Sequence, residues 1–534
     1  MMRHRMGWMF LGLGMLLLAG CAGLPDNRRR EASFALDAGV ATPLRRWEQK
    51  AMQDSGGRQP SAFVLVDSAD GALASRLALI EQATRTLDLQ YYAIHADGST
   101  RVLLQALRAA AARGVRVRIL LDDFNTRGAD AQVLQLAFVP HIEMRLFNPL
   151  PGGRALGGWR AMVTLRDFFR LQHRMHNKLF IADNIMGIVG GRNLGDAYFG
   201  QAEDSNFIDM DVLATGAIVR RMSDSFDRYW NHPLAYPVQR LLSRRELDRL
   251  RTTWQPVSTR PSFPPAPAEE EPAAQASGPA ADGHYPPAMD ILHASWIWAP
   301  SALLADAPAK LEAEDADSGG RVSTDDTVVH GLMDLMGFAR QRVLIVSPYF
   351  VPGKDMLARF AAMHQRGVQV DVLTNSLAST DAPAAHIGYA RHRRELLRSG
   401  VALHEMRALQ KQSARTVFGS AGKAARASLH AKLVVIDGRI VAVGSMNLDQ
   451  RSHLQNSEVG LLIRSRTLAQ MIEERVTPIV RESAWTVHLR TDGSLLWQAP
   501  PESGLNDQTE EPDASRPLRW MLRLMAPFAP DELL

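Results

Sequence analysis

Two stretches of the chain repeat one spacing of polar residues: HNKLFIAD at His176–Asp183 and HAKLVVID at His430–Asp437. In both stretches lysine follows histidine by two positions and aspartate follows it by seven. A single stretch of this kind is only suggestive, because three fixed positions of common residue types recur by chance in unrelated chains. The second copy makes the pattern informative.

The match continues beyond the aspartates. Gly190 and Gly444 follow the histidines by fourteen positions, and Asn193 and Asn447 follow them by seventeen. Agreement at five positions is not a chance match, and it indicates that the chain contains an internal duplication.

The spacing also groups the polar side chains in space. Both stretches have the composition of β-strands, in which residues two positions apart point to the same face. Each following strand ends in a turn of small residues that lets its asparagine approach the same place. We therefore expect both halves to supply one cavity. The expected set is His176, Lys178 and Asn193 from the first half, and His430, Lys432 and Asn447 from the second.

This set of groups suits reactions at phosphorus. One imidazole can attack phosphorus to form a phosphohistidine, and a second, protonated imidazole can give its proton to the departing alkoxide. The lysines and amides can surround the non-bridging oxygens, where negative charge accumulates in the transition state. The sequence near the motifs has no carboxylate-rich or histidine-rich metal cluster, and we expect no cofactor.

Helix and strand patterns surround both motifs in the same order. In the first half, the strand-like TLDLQYY is followed by the helical VLLQALRAAAARG and by the buried-type strand VRVRILLDD. In the second half, VLIVSPYF, MLARFAAMHQRG and VQVDVLTNS follow the same sequence of patterns. A strand, a helix and a strand at this spacing predict parallel crossovers. The predicted fold class is therefore α/β, with two duplicated lobes.

Composition divides the chain further. The segment from Ser258 to Ala288 is rich in Pro, Ala, Gly and Glu and is interpreted as a linker without a core. Near the end, PLRWMLRLMAPFAPDELL is either a short amphipathic helix at a membrane surface or a segment packed on the fold, and we favour packing. The predicted divisions are a signal peptide (1–21), a polar stalk (22–60), an N-terminal lobe (61–250), a linker (251–290), a C-terminal lobe (291–490) and a tail (491–534).

The N-terminus has the pattern of a secretory signal. A basic start precedes an apolar run from Trp8 to Leu18, and the chain's single cysteine, Cys21, follows. The tetrapeptide Leu18-Ala19-Gly20-Cys21 resembles a bacterial lipoprotein lipobox, although an uncleaved anchor and a plain signal peptide are the alternatives. The resemblance implies a protein of the bacterial cell envelope, lipid-anchored through Cys21 and facing the periplasm. Ala22 in place of aspartate resembles the outer-membrane sorting pattern.

The paired motifs with their trailing glycine and asparagine resemble the phospholipase D superfamily. Stretches such as DDFNTRG, GGRNLGDAYFG, DMDVLATG and NSLASTDAPAAHIGYA are similar to the bacterial cardiolipin synthase branch, particularly its lipoprotein-like members. This resemblance implies two α/β/α lobes that share one active site at their interface, and a two-step ping-pong transfer. It also implies that the motif aspartates, Asp183 and Asp437, are mainly structural.

The resemblance further implies that an acidic residue orients each histidine. Asp211 and Glu458 are the candidates, and Asp209 competes with Asp211 because both lie on the same strand face. By resemblance His176 is the nucleophile and His430 is the acid, since the sequence itself is symmetrical in this respect.

The function expected from these observations is a membrane-tethered transfer of a phosphatidyl group to phosphatidylglycerol or a similar lipid alcohol. Hydrolysis to phosphatidic acid, a nuclease activity and a non-catalytic lipid-binding role are the alternatives. A net charge of +4 and the lack of a basic cluster with interleaved aromatics argue against nucleic acid as a partner. The expected partners are membrane phospholipids, and the sequence identifies no protein partner.

Overall fold

The computed structural model describes residues 24–37, 39–126, 128–150, 172–242, 245–246, 248, 288–312, 327–409, 426–501 and 503–526. Cys21 and most of the 251–290 linker lie outside these ranges. Within them, no helix is long and apolar enough to cross a membrane.

The first half of the described chain forms an N-terminal lobe. Its helices are α1 (Pro43–Asp54), α2 (Ala69–Gln82), α3 (Gly98–Ala112), α4 (Ala217–Trp230) and α5 (Val238–Leu241). Its strands are β1 (Ser61–Val66), β2 (Thr86–Tyr91), β3 (Arg116–Asp122), β4 (Ile142–Phe147), β5 (Leu179–Ala182), β6 (Met186–Gly190), β7 (Ser205–Ile208), β8 (Asp211–Gly216) and β9 (Ala235–Pro237).

The second half forms a C-terminal lobe. Its helices are α6 (Val328–Gly337), α7 (Lys354–Gln365), α8 (Pro383–Arg398), α9 (Gln450–Leu454), α10 (Arg466–Ser483) and α11 (Arg516–Met525). The strands of this half are β10 (Ile297–Trp298), β11 (Ser301–Ala305), β12 (Arg342–Val346), β13 (Gln369–Asn375), β14 (Val401–Met406), β15 (Arg426–Leu429), β16 (Leu433–Ile436), β17 (Ile440–Gly444), β18 (Val459–Arg464), β19 (Ala484–Leu489) and β20 (Leu495–Gln498).

Local sequence explains where these elements begin and end. The Ser68 hydroxyl accepts a hydrogen bond from the amide of Gly71 and caps α2, and Asp97 caps α3 through the amide of Thr100. Gly114, with φ of +90°, ends the α3 segment and turns the chain into β3.

The two lobes share one sheet topology. The N-terminal sheet has the order β10-β1-β8-β6-β5-β2-β3-β4-β9, and the C-terminal sheet has the order β11-β18-β17-β16-β12-β13-β14-β19-β20. Parallel pairing is confined to β2-β3-β4 and to β12-β13-β14, and the other neighbours in these two sheets are antiparallel. The structure therefore confirms the duplicated α/β fold and shows that each sheet is mixed.

Helices cover both faces of each sheet, and one apolar cluster joins the lobes. Helices α2 and α3 pack on one face of the N-terminal sheet, and α4 packs on the other face, where it belongs to the same apolar cluster as α10 of the C-terminal lobe. The shared cluster includes Leu179 and Val189 from one lobe and Leu433 and Val443 from the other. The strands that follow the motif histidines thus pack into the interface between the lobes.

Residues 24–37 and 39–60, interpreted from sequence as part of a stalk, pack on the N-terminal lobe. The Asn27 amide donates to the carbonyls of Pro233 and Ala235, and Leu44 in α1 is buried. Polar side chains of this segment hold it to the lobe by donating hydrogen bonds to main-chain carbonyls. A segment attached in this way has the same polar composition as a solvated linker. Strand β10 likewise crosses the predicted lobe boundary, because it pairs with β1.

Candidate active site

His176 lies in the extended segment that precedes β5, and the C-terminal lobe holds it from both backbone and side chain. Its amide donates to the carbonyl of Ser457 at 3.0 Å. Its Nδ1 lies 3.0 and 3.1 Å from the two carboxylate oxygens of Glu458. Both side chains are buried. Glu458, as predicted from sequence, orients one of the motif histidines.

His430 is held in the same way by the N-terminal lobe. Strand β15 pairs in parallel with β7, and the His430 amide continues this pairing by donating to the carbonyl of Ile208 at 2.8 Å. The His430 Nδ1 lies 2.6 Å from Oδ2 of Asp209. Each histidine is therefore oriented by a carboxylate of the opposite lobe.

The paired carboxylates determine the tautomer of both rings. An ionised carboxylate is only an acceptor, so Nδ1 of the neutral ring must carry the proton. The lone pair then lies on Nε2 of His176 and of His430. This is the form that a nucleophile or a general base requires.

The assignment of Asp211 as an orienting acid was wrong, and Asp209 takes that role. Asp211 lies inside the N-terminal sheet, where its Oδ2 accepts from Arg76 at 2.9 Å and lies 3.4 Å from Arg192 Nη1. Asp209 precedes β8 and directly follows Ile208, whose strand pairs with the opposite lobe. Two positions along a strand correspond to about 6.6 Å, so two acids on one face reach different partners.

The internal duplication contains the signal that identifies Asp209. Gly190 pairs with Asp211 across the N-terminal sheet, and Gly444 pairs with Gly460 across the C-terminal sheet. When the halves are aligned on these pairs, Asp211 corresponds to Gly460 and Asp209 corresponds to Glu458. Alignment of DMDVL with EVGLL in the sequence would have selected the correct acid.

The two motif lysines are buried beside the histidines. Lys178 Nζ donates to the carbonyl of His176 at 2.8 Å, and Lys432 Nζ donates to the carbonyl of His430 at 2.7 Å. Burial lowers the pKa of Lys178 to about 7, and it also lowers the pKa of Lys432. Burial lowers the pKa of His176 to about 4 and lowers that of His430 well below its ordinary value. The site thus holds neutral imidazoles next to ammonium groups that lose their protons more easily than an ordinary lysine.

Binding of an inert oxyanion is expected to weaken as the pH rises above about 7, because Lys178 then loses the proton that attracts the anion. Tungstate suits this test because it stays a dianion over the range concerned. Isothermal titration calorimetry should show its Kd rising by up to about tenfold per pH unit above that point. The Lys178→Met variant should bind more weakly and lose this limb of the profile. An affinity that stays constant across the range would contradict the expectation.

The motif aspartates lie at the far ends of the strands that follow the histidines. Asp183 and Asp437 both have positive φ, of 52° and 50°, and accept hydrogen bonds from main-chain amides. Asp183 accepts from the amides of Arg85 and Thr86 at 2.8 and 2.9 Å, and Asp437 accepts from three consecutive amides, those of residues 340–342. They fix the entry into β2 and β12. This agrees with the structural role that the family resemblance implies.

The two motif asparagines are buried but are placed differently. Asn193 accepts from the amide of Ala93 at 3.2 Å and donates to the Tyr198 hydroxyl at 2.9 Å. The Asn447 side-chain oxygen is buried without a hydrogen-bond partner among the described residues. Among the described residues, the Asn447 side chain therefore keeps an unpaired oxygen. The Asn193 side chain is instead hydrogen-bonded to Tyr198.

Aromatic rings that the sequence did not assign to the site contact the histidines. The Tyr92 ring packs edge-on to His176, with 5.2 Å between ring centroids. Tyr198 and Phe207 lie 5.2 and 4.9 Å from His430 by the same measure. These rings exclude water from the flanks of both imidazoles and account for part of the burial that lowers their pKa values. Tyr92 directly follows the last residue of β2, and this position at the end of a strand beside the motifs is the signal that could have placed it in the pocket wall.

Comparison with known proteins agrees with this geometry. A family model described as the cardiolipin synthase, PLD-like domain matches residues 77–230 and 332–478, which include both motifs. Cardiolipin synthase C of Escherichia coli (strain K12) is 40% identical over 448 residues, covering 82% of this chain and 89% of that protein. The chain belongs to the cardiolipin synthase family of the phospholipase D superfamily. The family resemblance is thus confirmed.

Other relatives extend the match along the chain. An uncharacterized protein of Helicobacter pylori (strain ATCC 700392 / 26695) is 30% identical and covers 95% of this chain. The crystal structure of phosphatidylserine synthase from Haemophilus influenzae Rd KW20 covers 91% of this chain with a TM-score of 0.56 at 15% identity, a likeness of fold. With both motifs intact, this member of the family is an enzyme of the phospholipid phosphatidyltransferase class.

Proposed function

We propose that this chain is a cardiolipin synthase that passes a phosphatidyl group through a phosphohistidine on His176 to the hydroxyl of phosphatidylglycerol. The observation that carries the proposal is the crossed pairing of each motif histidine with a buried carboxylate of the other lobe. This pairing supplies two imidazoles of defined tautomer in one water-poor site, as a double displacement requires. Cardiolipin synthases among the relatives support the choice of substrate.

In the first step, His176 Nε2 attacks the phosphorus of the donor phospholipid. The bond from phosphorus to the headgroup oxygen breaks, and His430 gives its proton to that oxygen as the headgroup leaves. Burial disfavours the charged form of His430. An anionic phosphodiester beside the ring reverses this effect, because a nearby negative charge raises the pKa of an imidazole.

In the second step, the acceptor hydroxyl takes the place of the departed headgroup. His430 accepts the proton of the hydroxyl, the alkoxide oxygen attacks phosphorus, and the bond from phosphorus to His176 breaks. Both histidines return to their starting state. Lys178 and Lys432 stabilise the charge on the non-bridging oxygens in both steps.

The two carboxylates differ, and the difference supports His176 as the nucleophile. Burial by itself would raise the pKa of Glu458, but His176, Lys178 and Ser445 together lower it below its ordinary value. Ser452 also donates to Glu458, at 2.7 Å. Burial raises the pKa of Asp209. A firmly ionised carboxylate stabilises positive charge on the ring that forms the bond to phosphorus.

We also propose that acyl chains on Cys21 tether the enzyme to the periplasmic side of the bacterial envelope, at the outer membrane. The lipobox-like Leu18-Ala19-Gly20-Cys21 supports this placement, and both lipid substrates reside in a bilayer. Mass spectrometry of the mature N-terminus, with Cys21→Ser as the control, tests the modification. Fractionation of the two membranes tests the location.

The test of the activity is product analysis with the purified full-length protein on phosphatidylglycerol vesicles. We expect equal amounts of cardiolipin and glycerol, and no product from the His176→Ala variant. Release of phosphatidic acid without cardiolipin would instead assign a hydrolytic phospholipase D. Degradation of DNA by the same preparation in the presence of EDTA would assign a nuclease.

A further inference from the structure

The last described helix, α11, has a broad apolar face that no other described part of the chain covers. Only Leu522 of this helix is buried, against Leu377 and Ile387 at the side of the C-terminal lobe. Its large exposed apolar side chains, with their exposed fractions, are Trp520 at 68%, Met521 at 41%, Leu524 at 58% and Met525 at 45%. Exposure of this extent on one short helix is unusual for a protein surface in contact with water alone, and it marks an interaction surface.

The helix is fixed to the lobe by the chain that precedes it. Arg393 forms a two-pronged ion pair with Glu511, with its Nη2 at 3.1 Å from the carboxylate. Asp513 lies 2.9 Å from Arg407 Nε and accepts from the Trp485 indole at 3.2 Å. These contacts hold α11 in one orientation, so its apolar face is presented outward by the fold.

The charge of α11 defines the kind of surface that it fits. Arg516, Arg519 and Arg523 recur at helical spacing along one side of the apolar face, and the helix has no acidic residue. Among the described residues Arg519 pairs with Glu510, whereas Arg516 and Arg523 form no ion pair. A wide apolar face bordered by arginines is the pattern of a helix that lies in the interface of an anionic bilayer.

The position of α11 connects this surface to the active site. Leu377 lies in the segment between β13 and α8, and Ile387 lies in α8 itself. The same segment contains Asp381, whose carboxylate accepts from the Tyr349 hydroxyl at 2.8 Å. Asn375, at the end of β13, donates to the carbonyl of Leu429, the residue before His430. The helix thus lies on the rim of the lobe that carries His430.

The rim of the other lobe also exposes an apolar ring. Phe124 is 47% exposed and stacks on Tyr92, with 6.4 Å between centroids, and Tyr92 contacts His176. Exposed apolar side chains on both lobes are therefore linked to a motif histidine through a short series of contacts. An enzyme of this class draws its substrates from a bilayer, so a bilayer is the occupant that fits a surface so placed.

We propose that α11 is a membrane-docking element that rests its face of Trp520, Met521, Leu524 and Met525 in the surface of an anionic phospholipid bilayer. This contact holds the mouth of the active site against the lipid headgroups. Docking through α11 requires neither acylation of Cys21 nor a particular acceptor lipid.

A fluorescent probe placed on α11 tests this contact without reference to catalysis. In the full-length chain, Cys21→Ser removes the single native cysteine, and Leu524→Cys then supplies a unique thiol for an environment-sensitive nitrobenzoxadiazole label. On vesicles that contain phosphatidylglycerol we expect a blue shift and a several-fold rise in emission, with a smaller response on phosphatidylcholine vesicles. The matched control is Phe338→Cys, since Phe338 is 79% exposed at the end of α6.

A second variant measures the contribution of the apolar face. Trp520→Ser combined with Leu524→Ser changes only exposed side chains, and we expect about tenfold weaker binding of the Cys21→Ser protein to the same vesicles. An equal probe response at positions 524 and 338, or unchanged vesicle binding of this variant, would overturn the proposal. A probe response at position 524 without vesicles, accompanied by a dimer in sedimentation, would also overturn it and assign the face to a second copy of the chain.

Discussion

The His176→Ala variant is expected to lose phosphatidyl transfer by at least about 10⁴-fold, because it lacks the atom that forms the bond to phosphorus. The loss should extend to a phosphatidyl ester of p-nitrophenol, whose leaving group needs no proton. No phosphorylated histidine should be found after acid-free quenching and mass spectrometry. Initial rates of cardiolipin formation and of nitrophenol release measure both effects.

His430→Ala separates the acid from the nucleophile. On phosphatidylglycerol it should be impaired by about 10²–10⁴-fold, since the departing glycerol oxygen receives no proton. On the nitrophenyl ester it should still release one equivalent of nitrophenol in a rapid phase and accumulate phosphohistidine at position 176. Activity of His176→Ala, but not of His430→Ala, toward the nitrophenyl ester would reverse the two roles.

His404→Ala is the control for both variants. His404 lies in β14 and contacts Thr486, outside the site. This variant should retain the transfer rate of the parent. A comparable loss there would show that the effects at positions 176 and 430 reflect damage to the fold.

The Glu458→Gln variant is expected to reduce transfer by about 10³-fold with the fold retained. Glutamine has the same shape, but it is neutral and presents an amide group to Nδ1 of His176. The imidazole is then free to place its proton on Nε2, where the attacking lone pair is required, and the positive charge that forms on the ring is no longer stabilised. Transfer rates and the thermal midpoint of unfolding, measured together, separate catalysis from stability.

Glu405→Gln is the matched control for the buried carboxylate. Glu405 is fully buried in the C-terminal lobe, where it accepts from Tyr389, Arg393 and Trp497. Its replacement removes a buried charge partner and should lower stability by about 3–5 kcal/mol while the transfer rate of the folded protein is maintained. If Glu458→Gln behaved in this way, the carboxylate would be structural and the proposed orientation of His176 would be wrong.

Much of the fold was predictable from local pattern. The strands and helices around each motif follow from alternation and helical spacing, which act over a few residues. The duplication was visible because two copies of one unit retain matching offsets. The mixed direction of the sheets was not visible, because strand pairing depends on contacts between segments that are distant in the chain.

The acids at the active site show the same limit. Glu458 was identified as a candidate, but the pairing with a histidine of the opposite lobe joins residues 282 positions apart. Asp211 was preferred over Asp209, although the two residues lie on the same strand face. The strand face by itself does not determine which of the two residues reaches the interface between the lobes. The polar stretch before β1 was similarly misread, because its main-chain contacts leave no trace in composition.

The sequence by itself determined the duplicated unit and the imidazole and ammonium groups of the site. Each of these follows from spacing within one strand or one turn, where covalent geometry sets the distances. Tertiary structure decided which carboxylate orients which histidine, how far burial lowers the pKa values, and which face of α11 remains exposed. These properties arise only when the two lobes and the C-terminal segment pack together, since packing places distant groups in contact and removes water from around them.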